Sequence, residues 1–166
     1  MDEEAAANLI EGISKTVLVL AQNKIGALIV LERETGLNDY IETGIKVDGL
    51  VSSEFLINIF IPNTPLHDGA AILRGNRVMA AGCLLPLTED RSLNKELGTR
   101  HRAAIGISEQ TDAMVIVVSE ETGVISVARG GRLDRHLDTE SLQEKLRPLF
   151  VAKHNSLADF LNWRQS

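Results

Sequence analysis

Two short apolar runs constrain the fold of this 166-residue chain more than any other feature. The first covers residues 26–31, and the second, rich in β-branched side chains, covers residues 113–119. Runs of this length and composition are typical of strands buried in a sheet, and such a sheet needs helices to cover it. The two runs therefore predict core strands of a layered α/β domain.

Helical periodicity marks several other segments. In residues 4–23 the apolar positions recur at steps of three and four, as in one face of an amphipathic helix. A second helix is predicted for residues 53–61, because Ser52 can cap its start and Pro62 ends it. A third helix is expected over residues 99–109. Two short helices complete the chain, one from about residue 138 to around Pro148 and one that begins near Ser156.

Two hairpins separate these helices. The first is formed by strands at residues 68–73 and 77–85, which are joined by a turn at 74–76. In the second, the core strand 113–119 is joined by a turn at 120–123 to a partner strand at 124–128. Hairpins mixed with helices predict a single α/β domain with a mixed central β-sheet flanked by helices.

Bulk properties exclude several classes of protein. The chain carries a net charge of −6, which argues against a general nucleic-acid-binding surface. No segment reaches the roughly 20 apolar residues that a membrane-spanning helix needs, and acidic residues occupy the place of a signal peptide's basic start. The single cysteine, Cys83, lies in an apolar strand, so we expect a buried, inert thiol and a reducing compartment.

The first segment that could bind a ligand or catalyse a reaction is Leu66-His67-Asp68-Gly69-Ala70-Ala71. Asp68 either caps a turn or holds Mg²⁺ or Mn²⁺ and helps to deprotonate a hydroxyl group. The small Gly69 and Ala70 favour the second interpretation, because they let a ligand approach the backbone. His67 is either a structural hydrogen-bonding residue or a second ligand of the same metal, and extended backbone favours the structural role.

The second segment, Leu97-Gly98-Thr99-Arg100-His101-Arg102, places three basic side chains at the start of a predicted helix. That end of a helix carries partial positive charge, so basic side chains are unfavourable there. A bound polyanion would offset both positive charges. Arg100 is the best candidate for a bidentate phosphate contact, with the Thr99 hydroxyl beside it. The alternative is a solvated basic face, and one of His101 and Arg102 is free to bond inward.

A third candidate lies in the turn at residues 119–123. Ser119 could contact a phosphate, and the adjacent carboxylates of Glu120 and Glu121 could join Asp68 around a cation, although ordinary turn chemistry accounts for all three residues. The sequence has no Walker-type loop, Rossmann fingerprint, zinc-type Cys/His array or serine nucleophile elbow. If phosphate binds here, another architecture holds it.

The two segments together resemble the signature motifs of the diadenylate cyclases, an Asp-Gly-Ala and an Arg-His-Arg. The chain is similar to the DAC catalytic domain of that family, and in particular to its membrane-anchored CdaA type, from about residue 25 to residue 137. The matching text also includes residues 25–28, 32–37, 58–67, 96–99 and 119–123.

The resemblance implies a mixed sheet wrapped by helices and an enzyme that condenses two ATP into cyclic di-AMP and pyrophosphate. It implies a face-to-face homodimer, since each subunit binds only one ATP, and a divalent metal, Mg²⁺ or Mn²⁺. Matched onto this sequence, the resemblance implies three groups of site residues. The catalytic motifs are Asp68-Gly69-Ala70 and Arg100-His101-Arg102; ATP would contact Gly69, Leu84, Leu85, Thr99, Arg100, Ser119 and Glu121; the metal candidates are Asp68, His67 and Glu121.

The resemblance also implies an organisation beyond the site. Residues 1–24 would form an N-terminal amphipathic helix, residues 25–150 the cyclase domain and residues 151–166 a helical extension. We expect a longer parent protein, anchored by transmembrane helices on the cytoplasmic face of the bacterial membrane and open to regulatory protein partners, whereas the present chain would be soluble. CdaA-type relatives often carry a tyrosine where this chain has Leu84.

Two other functions are compatible with the residues. One is a catalytically silent domain that senses ATP or a cyclic dinucleotide, and the other is a metal-dependent phosphohydrolase. The second alternative is disfavoured because no second cluster of Asp and His supplies the usual metal ligands.

Overall fold

The computed structural model describes residues 1–151. It contains five helices in this part of the chain, α1 to α5, and seven strands, β1 to β7. The helices are Glu3–Gln22, Asn38–Ile41, Ser53–Phe60, Thr99–Gln110 and Thr139–Phe150. The strands are Ala27–Leu31, Ile45–Leu50, Ala70–Arg74, Arg77–Cys83, Met114–Val118, Ile125–Arg129 and Arg132–Asp134.

The strands form one mixed sheet in the order β2-β4-β3-β1-β5-β6-β7. The two apolar runs are its centre: β1 pairs with β3 in parallel and with β5 antiparallel, with Ile29 opposite both Ala71 and Ile116. Every residue of β1 and β5 is buried. The predicted mixed central sheet with flanking helices is confirmed.

Alternate side chains of the central strands point to opposite layers. Ile29 and Ile116 belong to a core shared with α1, α3 and α5, whereas Val30 and Val115 belong to a core shared with α4. Both faces of the sheet are therefore covered by helices. Within residues 1–151, no helix combines the length and apolar character needed to cross a membrane.

The local patterns predicted most of these elements to within a few residues. Asp2 and Ser52 cap α1 and α3 through their side chains, which accept from the backbone N–H groups of Ala5 and Phe55. Helix α5 continues two residues beyond Pro148 before the N–H group of Val151 closes the last turn on the Arg147 carbonyl. The helix predicted near Ser156 lies outside the described residues.

Three short elements had no sequence signal. Helix α2 has four residues and no side-chain cap, and β7 has three residues. Strand β2 lies at the edge of the sheet, where its side chains are mostly exposed and a bulge interrupts its register with β4. Short or exposed elements lack the apolar periodicity on which prediction rests.

Candidate active site

A cleft of about 710 Å³ brings together most of the residues that the sequence singled out. Asp68 and the N-terminus of α4 contribute to its lining, as does the turn after β5. The predicted residues in its wall are Asp68, Gly69, Leu84, Leu85, Thr99, Arg100, His101, Ser119 and Glu121. Three predicted residues are not part of the lining: His67, Ala70 and Arg102.

Asp68 and Gly69 lie in a bend just before β3, rather than in the strand itself. Gly69 has a φ of 111°, and a Cβ at this position would lie 2.8 Å from the Cys83 carbonyl oxygen. Only glycine combines this backbone conformation with so close an approach to β4. The bend leaves Asp68 exposed at the cleft, whereas Ala70 is fully buried in β3.

His67 belongs to the turn that precedes this bend. Its Nδ1 lies 2.6 Å from the carbonyl oxygen of Thr64, and its backbone N–H group donates to the same oxygen. These contacts correspond to the structural interpretation of His67. Its role as a metal ligand stays a prediction.

The N-terminus of α4 supplies donors to the cleft. Gly98 is the N-cap and offers no side-chain cap, and the first turn contains no acidic residue. The first N–H groups of a helix lack intrahelical acceptors and carry partial positive charge. Gly98, Thr99, Arg100 and His101 all line the cleft, so this helix start is suited to an anion.

Arg100 is held in place by Gly26, whose role the sequence analysis missed, and by Glu120, which the sequence analysis considered only as a ligand of a cation. Gly26 lies beneath its guanidinium group, because a Cβ at residue 26 would overlap Arg100 Nη1 and Cζ. Glu120 forms an ion pair with the same group, with Oε1 at 3.6 Å from Nη1. The Arg100 side chain is 25% exposed, so it can still receive a ligand from the cleft. A glycine directly before a buried strand was the available sequence signal for Gly26.

His101 points inward and is 6% exposed. Within the described residues its Nε2 has no hydrogen-bond partner. Burial lowers the pKa of His101, and the nearby charges of Arg135 and Arg100 lower it further. His101 is therefore neutral at pH 7 and can donate or accept one hydrogen bond at the cleft wall.

Arg102 lies away from the cleft lining. Its carbonyl oxygen accepts from the Thr88 N–H group at 3.0 Å, which ties the loop after β4 to α4. The three basic residues of the second motif therefore separate: Arg100 and His101 line the cleft, and Arg102 does not.

Ser119 organises the turn that closes the cleft beside Arg100. Its Oγ accepts from the N–H groups of Glu121 and Thr122 at 3.2 and 3.3 Å. This turn leaves the Glu121 carboxylate exposed, and both Ser119 and Glu121 line the cleft.

The carboxylates suit a divalent cation that arrives with phosphate. Mg²⁺ is usually bound by one or two protein carboxylates together with substrate phosphates and water. Asp68 and Glu121 line the same cleft, whereas residues 1–151 contain no group of three or more His, Cys, Asp or Glu side chains able to hold a metal alone.

The rest of the cleft lining is mostly apolar, apart from the charged residues Lys95 and Glu96. Leu84 is 69% exposed and Leu87 is 52% exposed, and Leu28, Leu85, Leu97 and Val118 also line the space. Cys83 is buried there, as predicted, and burial raises the pKa of its thiol to about 11, so the thiol is protonated at neutral pH. An apolar wall opposite anion-binding donors fits an amphipathic ligand with a flat base and a phosphate tail.

Comparison with known families identifies the domain. The model of the DAC family, described as "DisA bacterial checkpoint controller nucleotide-binding", matches residues 14–133. The match includes both motifs and the turn at 119–123.

Curated relatives extend the similarity. The chain is 58% identical over 148 residues to "Cyclic di-AMP synthase CdaA" of Bacillus subtilis, covering 89% of this chain and 54% of that protein. It is 51% identical over 163 residues to "Diadenylate cyclase" of Listeria monocytogenes, covering 98% of this chain and 60% of that protein. The chain thus spans little more than half the length of these relatives.

Solved structures share the fold. A crystal structure of a double mutant of DacA from Staphylococcus aureus has a TM-score of 0.86 at 52% identity, covering 88% of this chain and 97% of that one. A "hypothetical membrane spanning protein" from Bacillus cereus has a TM-score of 0.74 at 44% identity, covering 76% of this chain and 62% of that one.

Proposed function

This chain belongs to the DAC family, and from that premise we propose that it is the catalytic domain of a diadenylate cyclase. The observation that carries the proposal is the shared cleft, which is lined by Asp68-Gly69 of one motif and by Arg100-His101 of the other. The names of the Bacillus and Listeria relatives support the same activity.

The proposed reaction joins two ATP molecules. The 3′-hydroxyl oxygen of each ATP attacks the α-phosphorus of the other, the bond from that phosphorus to the β-phosphate bridge breaks, and pyrophosphate leaves with the electron pair. Each hydroxyl loses its proton. Two such steps give cyclic di-AMP and two pyrophosphates.

The site residues would contribute mainly position and charge. Arg100 and the N–H groups at the start of α4 would hold phosphate oxygens, and the Thr99 hydroxyl would add a contact. Ser119 and Glu121 would complete the triphosphate region. Fixed donors directed at developing negative charge lower the barrier of phosphoryl transfer.

The nucleotide base would bind against the apolar residues of the cleft. Leu84 and Leu85 would flank the adenine ring, and Gly69 would border the ribose, whereas the predicted ribose contact of Ala70 is not supported because Ala70 is buried in β3 and does not line the cleft. Leu84 gives apolar contact rather than the ring stacking that a tyrosine would offer.

Asp68 and Glu121 are the residues that would hold a divalent metal, Mg²⁺ or Mn²⁺. When bound, the metal would neutralise phosphate charge and make the attacking hydroxyl more acidic. The Asp68 carboxylate, which is exposed in its bend at the cleft, would also accept the proton of that hydroxyl.

Catalysis would require a face-to-face homodimer, because each cleft holds one of the two reacting nucleotides. We also propose that the chain is part of a longer protein anchored on the cytoplasmic face of the membrane and open to regulatory partners. Its similarity to the membrane-spanning protein of Bacillus cereus supports the anchoring.

The direct test is to incubate the protein with ATP and either Mg²⁺ or Mn²⁺ and to identify the products. Cyclic di-AMP with pyrophosphate supports the proposal. Unchanged ATP despite measurable binding indicates a silent sensor domain instead. ADP or AMP with free phosphate indicates a phosphohydrolase.

Two variants separate binding from chemistry. Asp68→Asn should keep ATP affinity within about threefold and lose at least about 100-fold in turnover, because a positioned acid–base group contributes about that much. Arg100→Ala should weaken ATP binding itself by about tenfold or more, because it removes charge-assisted hydrogen bonds. Calorimetry with a non-reactive ATP analogue and product chromatography check the pair. Wild-type turnover by Asp68→Asn would contradict the assigned role.

A further inference from the structure

The main chain that leaves β4 is held by a side chain rather than by a neighbouring strand. Strand β4 ends at Cys83, and its edge partner β2 begins at Ile45, opposite Ala81. The next N–H group, that of Leu84, donates to the Thr43 hydroxyl oxygen at 2.8 Å. Thr43 therefore takes over the role of a strand partner where the sheet ends.

The Thr43 hydroxyl is itself oriented by α2. It donates to the Tyr40 carbonyl oxygen at 2.6 Å, so its oxygen lone pairs are left to accept from Leu84. One hydroxyl thus bridges the end of α2 and the wall of the cleft.

Helix α2 is a fixed support for this bridge despite its four residues. At its start, the Leu37 N–H group donates to Glu32 Oε2 at 3.0 Å, and Arg74 Nη2 donates to Asn38 Oδ1 at 2.6 Å. The Tyr40 hydroxyl donates to Gln110 Oε1 at 3.1 Å, which links α2 to the end of α4. Residues at the ends of β1 and β3, together with α4, therefore hold α2 in place.

We propose that Thr43 is a positioning residue that sets the affinity of the cleft for the nucleotide base. Thr43 does not line the cleft, but the two residues after its bond, Leu84 and Leu85, do. Leu84 is 69% exposed, so its own side chain does little to fix this residue and the main-chain bond does more, whereas Leu85 also packs against the core. The inference rests on the proposed function, in which Leu84 and Leu85 flank adenine.

The test compares Thr43→Val, which keeps the shape and removes the hydroxyl, with Thr43→Ser, which restores it. Thr111→Val is the matched control. The Thr111 hydroxyl also donates to a helix carbonyl, that of Ile107, and accepts from an N–H group, that of Ala113, but it lies outside the cleft lining.

We expect Thr43→Val to raise the KM for ATP and the Kd of α,β-methylene-ATP by about three- to tenfold, the range for one lost hydrogen bond. The kcat should stay within about twofold, and Thr43→Ser should return affinity to the wild-type value. Binding of inorganic tripolyphosphate, which has no base, should be unchanged by Thr43→Val. Thr111→Val should leave all of these constants unchanged.

Amide hydrogen exchange gives a second readout that does not depend on activity. The Leu84 amide should exchange faster in Thr43→Val than in the wild type and Thr43→Ser. Wild-type nucleotide affinity in Thr43→Val, or an equal loss of tripolyphosphate binding, would overturn the inference.

The outcomes also separate this inference from the proposed function. If the wild type binds α,β-methylene-ATP but makes no cyclic di-AMP, the cyclase proposal fails while the effect of Thr43→Val on binding still decides the role of Thr43. If the wild type binds no adenine nucleotide, both are overturned.

Discussion

Gly26 has no side chain, and the Arg100 guanidinium group occupies the space that a Cβ at this position would need. The glycine therefore acts on the site without touching a ligand. It leaves room beside β1 for the Arg100 guanidinium group, which also pairs with Glu120 at 3.6 Å. A side chain that is confined in this way loses less conformational freedom when it binds phosphate.

Gly26→Ala should displace Arg100 without unfolding the protein, because the atoms in conflict are the far end of a flexible side chain. We expect ATP binding to weaken by about tenfold or more, since a charge-assisted contact is lost. The melting temperature should change by only a few degrees. Calorimetry and thermal denaturation check both parts.

Gly36→Ala is the control for that variant. A Cβ at residue 36 would meet nothing within 4 Å, so binding should not change. Equal ATP affinity in Gly26→Ala and Gly36→Ala would show that the Arg100 position does not matter for binding.

A second effect of a single residue is that His101 makes the folding stability of the protein depend on pH. Burial, followed by the charges of Arg135 and Arg100, lowers the pKa of His101 in the folded protein. The unfolded chain then binds the proton more readily, so stability is fully present above the ordinary histidine pKa of about 6.5 and is lost as the pH falls below it.

His101→Gln should flatten the loss of stability between about pH 7 and pH 5.5, because glutamine does not titrate in that window. Urea denaturation at several pH values measures the effect. A wild-type slope in His101→Gln would show that another group titrates.

At the scale of elements, Glu32 joins three segments that are far apart in the chain. It follows β1, accepts from Arg74 Nε at 2.6 Å at the end of β3, and accepts from the Leu37 N–H group at the start of α2. Burial opposes ionisation of Glu32, but the bonds from Arg74 and Leu37 outweigh it and lower its pKa. The carboxylate thus substitutes for the cap that α2 lacks.

Glu32→Ala should destabilise the protein by about 1–2 kcal/mol, because it removes charge-assisted bonds and leaves the Leu37 N–H group without its acceptor. Denaturant unfolding measures this change. Asp48→Asn is a comparable loss of an arginine-paired carboxylate, because asparagine tolerates the φ of 48° at this position, but Asp48 is 67% exposed and Arg77 is 42% exposed. Exposed pairs contribute about 0–1 kcal/mol, so a larger effect at Asp48 than at Glu32 would contradict this account.

The helices and strands differed in how well their local sequence predicted them. Helix α1 and strand β5 carry clear periodicity or a continuous apolar run, and both were predicted within a few residues. Helix α2 and strand β2 support Leu84 and the edge of the sheet, yet α2 has a single buried residue and β2 has none. Their conformation depends on bonds to other elements, which a local pattern does not contain.

At the scale of the whole molecule, the cleft described above has an exposed apolar wall. Leu84 and Leu87 are both more than half exposed, so the proposed nucleotide site opens at the surface. An open site that holds one of two reacting nucleotides matches the proposed face-to-face dimer.

The dimer requirement predicts that the rate per subunit falls on dilution. Below the dissociation constant of the dimer, cyclic di-AMP formation should rise with nearly the square of protein concentration, whereas binding of α,β-methylene-ATP per subunit should stay constant. Sedimentation at the same concentrations identifies the species present. A constant rate per subunit from a monomeric sample would contradict the requirement.

The sequence alone determined the fold class, the main helices and strands and the two motifs of the site, because apolar periodicity and motif chemistry are local properties. The roles of the site residues stay predictions, but nine of them line one cleft. The tertiary structure decided the strand order, the place of Gly26 beneath Arg100 and the bond between Thr43 and Leu84. A local pattern shows which face of an element is apolar and not which distant segment covers it, so these contacts appear only once the sheet is assembled.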